Sequence, residues 1–138
     1  MIKVLRLFFR WRFSVRRTIS EPQDKVWEIL TNTKYWPIWG PSIQSVDPSD
    51  TKIIVGTKGS VKTVLGFHVT FVITKFEEQN VWDWDTCGLP VTGHTIRSIS
   101  PHSTEVIFDL PVLLAPYALF CWIALHKINH HASTIDMK

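Results

Sequence analysis

The sequence predicts an α+β fold, one antiparallel sheet with its helices gathered on one side. Three observations carry this. Apolar and polar residues alternate with a period of two in several segments separated by short polar turns. A short helical pattern interrupts the chain after the first such segment. A long, almost wholly apolar helical stretch closes it.

Trp11, Phe13, Val15, Arg17 and Ile19 alternate with Arg10, Arg12, Ser14, Arg16 and Thr18, which predicts the first strand. Ser20 and Gln23 then have the spacing of a capping box, with Pro22 in the first turn, where its missing N–H costs little. Val26, Trp27 and Leu30 fall on one helical face, with Ile29 at its edge. Tyr35, Trp36, Ile38 and Trp39 crowd around Pro37, too apolar for a solvated loop, so a second short helical element is expected there.

Ile43–Val46 is a short strand ended by the turn Asp47-Pro48-Ser49-Asp50. Lys52–Val55 leads into Gly56 and Gly59, and Ser60–Leu65 reads as the next strand. Phe67, Val69, Phe71 and Ile73 alternate with His68, Thr70, Val72 and Thr74, the clearest strand in the chain. After the polar turn 77–80, Val81–Cys87 sets Trp82, Trp84 and Thr86 on one face and Asp83 and Asp85 on the other. Gly88-Leu89-Pro90 is read as a break, and His94–Ser100 and Thr104–Leu110 as a final hairpin. A helix from about Ala115 to Ala132 follows, with Pro116 in its first turn. Its uncharged run Val112–Leu125 is fourteen residues, short of the ~20 a spanning helix needs, so no transmembrane segment is expected. Sequential strands joined by short turns predict an antiparallel meander.

A chain of 138 residues is most simply one domain, spanning 1–138, able to bury roughly two-thirds of its unfolded surface. Seven Trp and eight Phe fit either a well-filled core or an aromatic-lined cavity. The net charge of +3 is uneven: Lys3, Arg6, Arg10, Arg12, Arg16 and Arg17 all precede the first acid, Glu21. Residues 1–10 are thus a basic, aromatic extension or the start of the first strand. The solvated side of that strand is the simplest role for these cations, and a weak peripheral contact with anionic lipid is the alternative. No nucleic-acid partner is expected. Cys87 and Cys121 are too isolated for a disulfide framework or zinc site, and Met1–Phe9 lacks the form of a signal peptide, so the cytoplasm is the expected compartment.

The stretch Thr18–Asp47, TISEPQDKVWEILTNTKYWPIWGPSIQSVD, resembles the opening motif of the helix-grip superfamily. That superfamily includes START lipid-transfer domains, plant pollen-allergen-type proteins and the polyketide cyclase/dehydrase-like SRPBCC proteins. Val55-Gly56-Thr57-Lys58-Gly59, the strand Val81-Trp82-Asp83-Trp84 and His94 are similar to later family features in the same order. Asn32 stands where an acid is common, and His102-Ser103-Thr104 replaces the usual Gly-Thr. The resemblance implies a curved antiparallel sheet of about seven strands wrapped around a long C-terminal helix, two short helices after strand 1, and an apolar cavity between sheet and helix. It implies binding of a hydrophobic small molecule or lipid, and it does not imply catalysis.

On that reading Trp27, Leu30, Trp39, Phe71, Ile73, Trp84, Ile96, Phe108, Tyr117, Phe120 and Ala124 form the ligand-binding core and cavity wall. Arg97 or Tyr117 would orient a polar end. An enzyme of cyclase or dehydratase type is the alternative, and its acid/base groups would come from Arg97, His94, Tyr117 and the two strand acids. Asp83 and Asp85 lie opposite two tryptophans and are expected to be solvated. His126 and His130 have i, i+4 spacing without an accompanying H-E-x-x-H pattern, so no metal and no cofactor is expected. The sequence leaves the ligand's identity and the oligomeric state open.

Overall fold

The computed structural model describes residues 2–135, so the expected span 1–138 runs past the described residues at both ends. Seven strands form one curved antiparallel sheet: β1 (Arg12–Ile19), β2 (Ile43–Asp47), β3 (Lys58–Thr63), β4 (His68–Glu77), β5 (Val81–Thr86), β6 (Leu89–Ser100) and β7 (Ser103–Pro111). Their order across the sheet is β1-β7-β6-β5-β4-β3-β2. Strands β2 to β7 are the expected meander. β1 lies apart from β2, on the opposite edge beside β7, and the chain crosses between the edges through two short helices, α2 (Gln23–Thr31) and α3 (Trp36–Trp39). Register shifts in β4, β5 and β6 mark bulges, which increase strand twist and bend the sheet.

The aromatic corner after α2 has a specific task. A helix leaves its last four carbonyls without internal partners. Here the Trp36 and Trp39 indole N–H groups donate to the Leu30 and Ile29 carbonyls, both at 3.0 Å. The Asn32 and Ile53 backbone N–H groups take those of Glu28 and Thr31. Asn32, where the family carries an acid, accepts the Lys34 N–H and so caps the turn Thr33–Tyr35. The expected capping box does not form: Pro22 is the N-cap residue, and the Gln23 side chain instead donates to the Gln79 carbonyl on the β4–β5 turn.

Four further boundaries differ from expectation. Residues Ile2–Phe8 form a helix, α1, rather than the start of a strand, and Arg6 pins it to the sheet by bonding Asp85 at 2.9 Å and the Gly88 carbonyl at 2.8 Å. The Lys3 side chain is outside the described set. Gly88, with φ of +81°, suffices to turn the chain, so β6 begins at Leu89 and is twelve residues long. β3 stops at Thr63, leaving Val64-Leu65-Gly66-Phe67 as its turn. The C-terminal helix starts as a 3-10 segment, Val112–Tyr117, and becomes α-helical only as α4, Ala118–Ala132.

Cys121, Ala124, Leu125, Ile128 and Ala132 are the buried face of α4, which packs against β1, β7, α2 and α3. Val112–Ala132 is long and apolar enough, by length and composition, to cross a membrane, a property that core helices share.

Candidate ligand cavity

A cavity of about 450 Å³ lies between the concave face of the sheet, α3 and the first turns of α4. That is the size range of small-molecule sites. Alternation along β3 to β7 turns Val61, Phe71, Trp82, Trp84, His94 and Phe108 toward it, and α4 contributes Phe120, Cys121 and Ala124. Its opening is rimmed by the β3–β4 turn (Val64, Leu65, Phe67) and by Leu114 and Tyr117 from the 3-10 segment.

The inner wall is an aromatic stack. Trp82 lies parallel to Trp36, with ring centres 5.3 Å apart, and His94 stacks on Trp82 at 3.8 Å. Trp84 meets Trp36, Trp82 and His94 edge-on. Polar groups thread through the stack in a defined direction. The Trp84 indole donates to Thr92 Oγ1 at 2.9 Å, and the Thr92 hydroxyl is 3.4 Å from His94 Nε2. His94 Nδ1 is 3.2 Å from the Trp82 carbonyl, which can only accept, so Nδ1 carries the proton and Nε2 accepts from Thr92. Burial pushes the His94 imidazole down to about 3, the carbonyl bond opposing the fall and the Arg12 charge adding to it. At neutral pH this histidine is uncharged.

Among the described residues, no Asp, Glu, Lys or Arg lines the cavity. Cys121 is there as the neutral thiol, pushed up to about 12 by burial, with the Asp109 carboxylate adding to the rise. Burial also raises the Tyr117 phenol above its ordinary value, against the effect of its 3.1 Å hydrogen bond with the Ser42 hydroxyl. Three polar atoms of lining residues have no partner among the described residues: Thr63 Oγ1, Thr86 Oγ1 and Trp82 Nε1.

Of the residues expected to form the binding wall, Trp39, Phe71, Trp84, Phe108, Tyr117, Phe120 and Ala124 line the cavity. Trp27, Leu30, Ile73 and Ile96 are buried but do not. Ile96 lies two residues past His94 on β6, Ile73 stands opposite Trp84 on β4 and is covered there, and Trp27 and Leu30 come from α2, in the packed part of the core. There Trp27 packs on Phe76 and donates to Glu78 Oε1 at 2.9 Å. Period-two alternation gives the face of a strand residue and says nothing of where along the strand the core is hollow.

Of the acid/base candidates, His94 and Tyr117 line the cavity and Arg97 does not. Arg97 is on the outer face, exposed, bonded to Glu105 across the β6–β7 pair at 2.9 Å. Asp83 and Asp85 are also on the outer face, half-buried rather than fully solvated. Asp85 holds Arg6, and Asp83 shares the space over Gly93 with Asp109.

Thr92, Thr63, Thr86, Trp36, Trp82 and Cys121 were not in the expected wall. Thr92 is invisible once 88–90 is read as a break. Trp36 and Trp82 carried a signal, as members of the aromatic corner and of the alternating strand.

No family model matches the chain, and no curated protein matches it. Solved structures do. It is similar to protein MLL2253 from Mesorhizobium loti, with a TM-score of 0.71, 16% identity, and 91% of this chain and 99% of that one covered. It is similar to EF2215 from Enterococcus faecalis, a conserved protein of unknown function, with a TM-score of 0.64, 20% identity, and 94% and 78% covered. DynU16, a protein in the dynemicin biosynthetic locus, matches with a TM-score of 0.67 and 15% identity over 89% of this chain, which spans about half, 47%, of DynU16. At these identities the likeness is one of fold: an antiparallel sheet closed around a C-terminal helix, the helix-grip-like arrangement implied by the opening motif.

Proposed function

We propose that this protein binds a neutral, largely apolar small molecule in the cavity, as a member of the START-like SRPBCC group. The observation that carries the reading is a space of about 450 Å³ that no charged residue lines among those described, with two hydroxyls and one indole N–H of lining residues lacking partners among them. Burying a charge there would be costly, since His94 is neutral and no counter-ion faces the space. An apolar ligand with a hydroxyl or carbonyl group would gain apolar burial, and rotation of the Thr63 or Thr86 side chain would turn its now covered hydroxyl toward that group. Burial of ~300 Å² of ligand surface is worth about 7.5 kcal/mol before the cost of immobilisation, so apolar burial alone sets a ceiling of roughly a few micromolar on the affinity.

Native mass spectrometry of the purified protein, followed by displacement with matched pairs of probes, tests this. A long-chain alcohol should bind at least about tenfold tighter than the fatty acid of the same length, because the carboxylate must be desolvated or protonated to enter. Equal or tighter binding of the acid would overturn the neutral-ligand reading. Failure of every probe to bind would overturn the binding reading itself.

Catalysis by a cyclase or dehydratase is the second reading, favoured by the presence of His94 and Tyr117 among the residues lining one cavity. It ranks second because an imidazole pushed down to about 3 is a poor proton acceptor, and the remaining candidates, Arg97, Asp83 and Asp85, are outside.

A further inference from the structure

We propose that the rim of the cavity docks on an anionic phospholipid bilayer, a role that goes beyond binding a ligand inside it. The registers bring four segments to one end of the sheet. Thr86 pairs with Phe71 and Leu89, Asp109 with Gly93, and Arg12 with Pro111. The β3–β4 turn, the β5–β6 turn, the chain after β7 and the chain before β1 therefore share that end. The Val112 N–H donates to the Trp11 carbonyl at 2.6 Å, which ties the last two together.

These segments present apolar side chains to solvent. Leu65 on the β3–β4 turn is 81% exposed and Trp11 is 76% exposed. Leu113 follows β7, and Leu119 and Trp122 face outward from the first turns of α4. None of them is needed for the core. An exposed apolar surface on this scale marks an interaction site. Two exposed tryptophans beside arginines are the pattern of a membrane-interface anchor.

Charge selects the occupant. Arg10 is exposed, and neither it nor Lys62, beside the β3–β4 turn, makes an ion pair among the described residues; farther along β1, the Arg17 guanidinium lies 5.9 Å over the Trp122 ring. Of the nearby acids, Asp85 and Asp109 are held by Arg6 and Arg12, and Asp83 is half-buried beside Asp109 with its carboxyl raised by burial. Glu21, Asp24, Glu28, Glu77 and Glu78 instead surround α2 and the β4–β5 turn, at the opposite end, where Lys25, Lys52 and Lys75 pair with four of them and leave an excess of negative charge. An anionic surface is attracted to the rim and repelled by the far end. A two-fold dimer through the same surface would set the arginines of each copy against those of the other.

Vesicle flotation of the full chain tests the proposal. It should float with phosphatidylcholine vesicles containing phosphatidylglycerol at low salt, less at high salt, and weakly with phosphatidylcholine alone. The double variant Leu65→Ser/Leu113→Ser, changed only at exposed positions, should lose about tenfold or more in vesicle affinity with an unchanged circular dichroism spectrum. In the unaltered protein, brominated phosphatidylglycerol should quench tryptophan fluorescence, and Trp11→Phe should reduce the quenched share. Absence of flotation on the anionic vesicles, unchanged flotation of the double variant, or absence of quenching would each overturn it. So would a dimer in analytical ultracentrifugation that the double variant dissociates while the protein ignores vesicles.

Discussion

His94 and Trp82 are joined twice. Their rings stack with centres 3.8 Å apart, and His94 Nδ1 donates to the carbonyl of the same Trp82 at 3.2 Å. The two residues are directly opposite each other on β6 and β5. The histidine is thereby held as a neutral, apolar-facing plate whose one remaining lone pair is occupied by Thr92.

Stability should therefore depend on pH through this residue. An imidazole that titrates near 6.5 unfolded and near 3 folded binds a proton more readily in the unfolded chain. Its contribution to stability is fully present above pH 6.5 and is lost as pH falls toward 3. Between pH 7.5 and 4.5 the loss should be about 2–3 kcal/mol. Urea denaturation at the two values measures it, and His94→Phe, which keeps a flat ring and does not titrate, should flatten the dependence over that interval. An equal slope in the variant would show that other groups set it.

Gly93 and Asp83 form a second coupled pair, on the outer face. A Cβ at position 93 would run into the carboxylates of Asp83 and Asp109 on the two flanking strands, so only glycine leaves room for both. Asp83 Oδ1 is buried without a partner among the described residues, and burial, then the Asp109 charge, raise its carboxyl above the ordinary range, with Lys75, Arg12 and a hydrogen bond from the His94 backbone opposing. A raised carboxyl favours the folded state only while protonated, so ionised Asp83 is a net cost at pH 7. Gly93→Ala should destabilise by about 1–3 kcal/mol. Asp83→Asn should stabilise at pH 7, with the gain shrinking as pH falls toward about 4, because the native carboxyl takes up its proton above its ordinary value and the unfolded one only near it. Thermal denaturation of the two variants across that range checks both signs.

The parts of the fold that follow from local rules were legible in the sequence. Alternation in Phe67–Ile73 and Val81–Cys87 gave the strands and their inward faces, and the motif around Trp36-Pro37 gave the helical corner. What was not legible depended on tertiary partners. The Ile2–Phe8 helix exists against Asp85 and Gly88, some eighty residues away. The Ser20 cap was displaced because Gln23 found the Gln79 carbonyl. Arg97 had an ambiguous alternation, and Glu105 on the next strand decided its side. In the cavity, Phe71 and Ile73 share a face and a chemistry, yet one lines the hollow and the other the packed half.

Thr63 and Thr86 put the proposed binding function and stability in opposition. Each carries a buried hydroxyl with no partner among the described residues, and each lines the cavity. An unsatisfied buried hydroxyl costs about 1–3 kcal/mol, and threonine and valine have nearly the same shape. If the hydroxyls serve only the fold, nothing explains keeping them. If they serve a ligand, the empty protein bears their cost and the bound one recovers it. Thr63→Val and Thr86→Val should therefore each raise the melting temperature of the ligand-free protein, by ~1 kcal/mol of stability or more. The same variants should weaken binding of an alcohol probe by roughly three- to tenfold, while leaving a purely hydrocarbon probe of equal size unaffected. Differential scanning calorimetry gives the first quantity and titration calorimetry the second. Loss of both probes alike would mean that the valines had changed the shape of the cavity, and a lowered melting temperature would mean that the hydroxyls are satisfied within the fold.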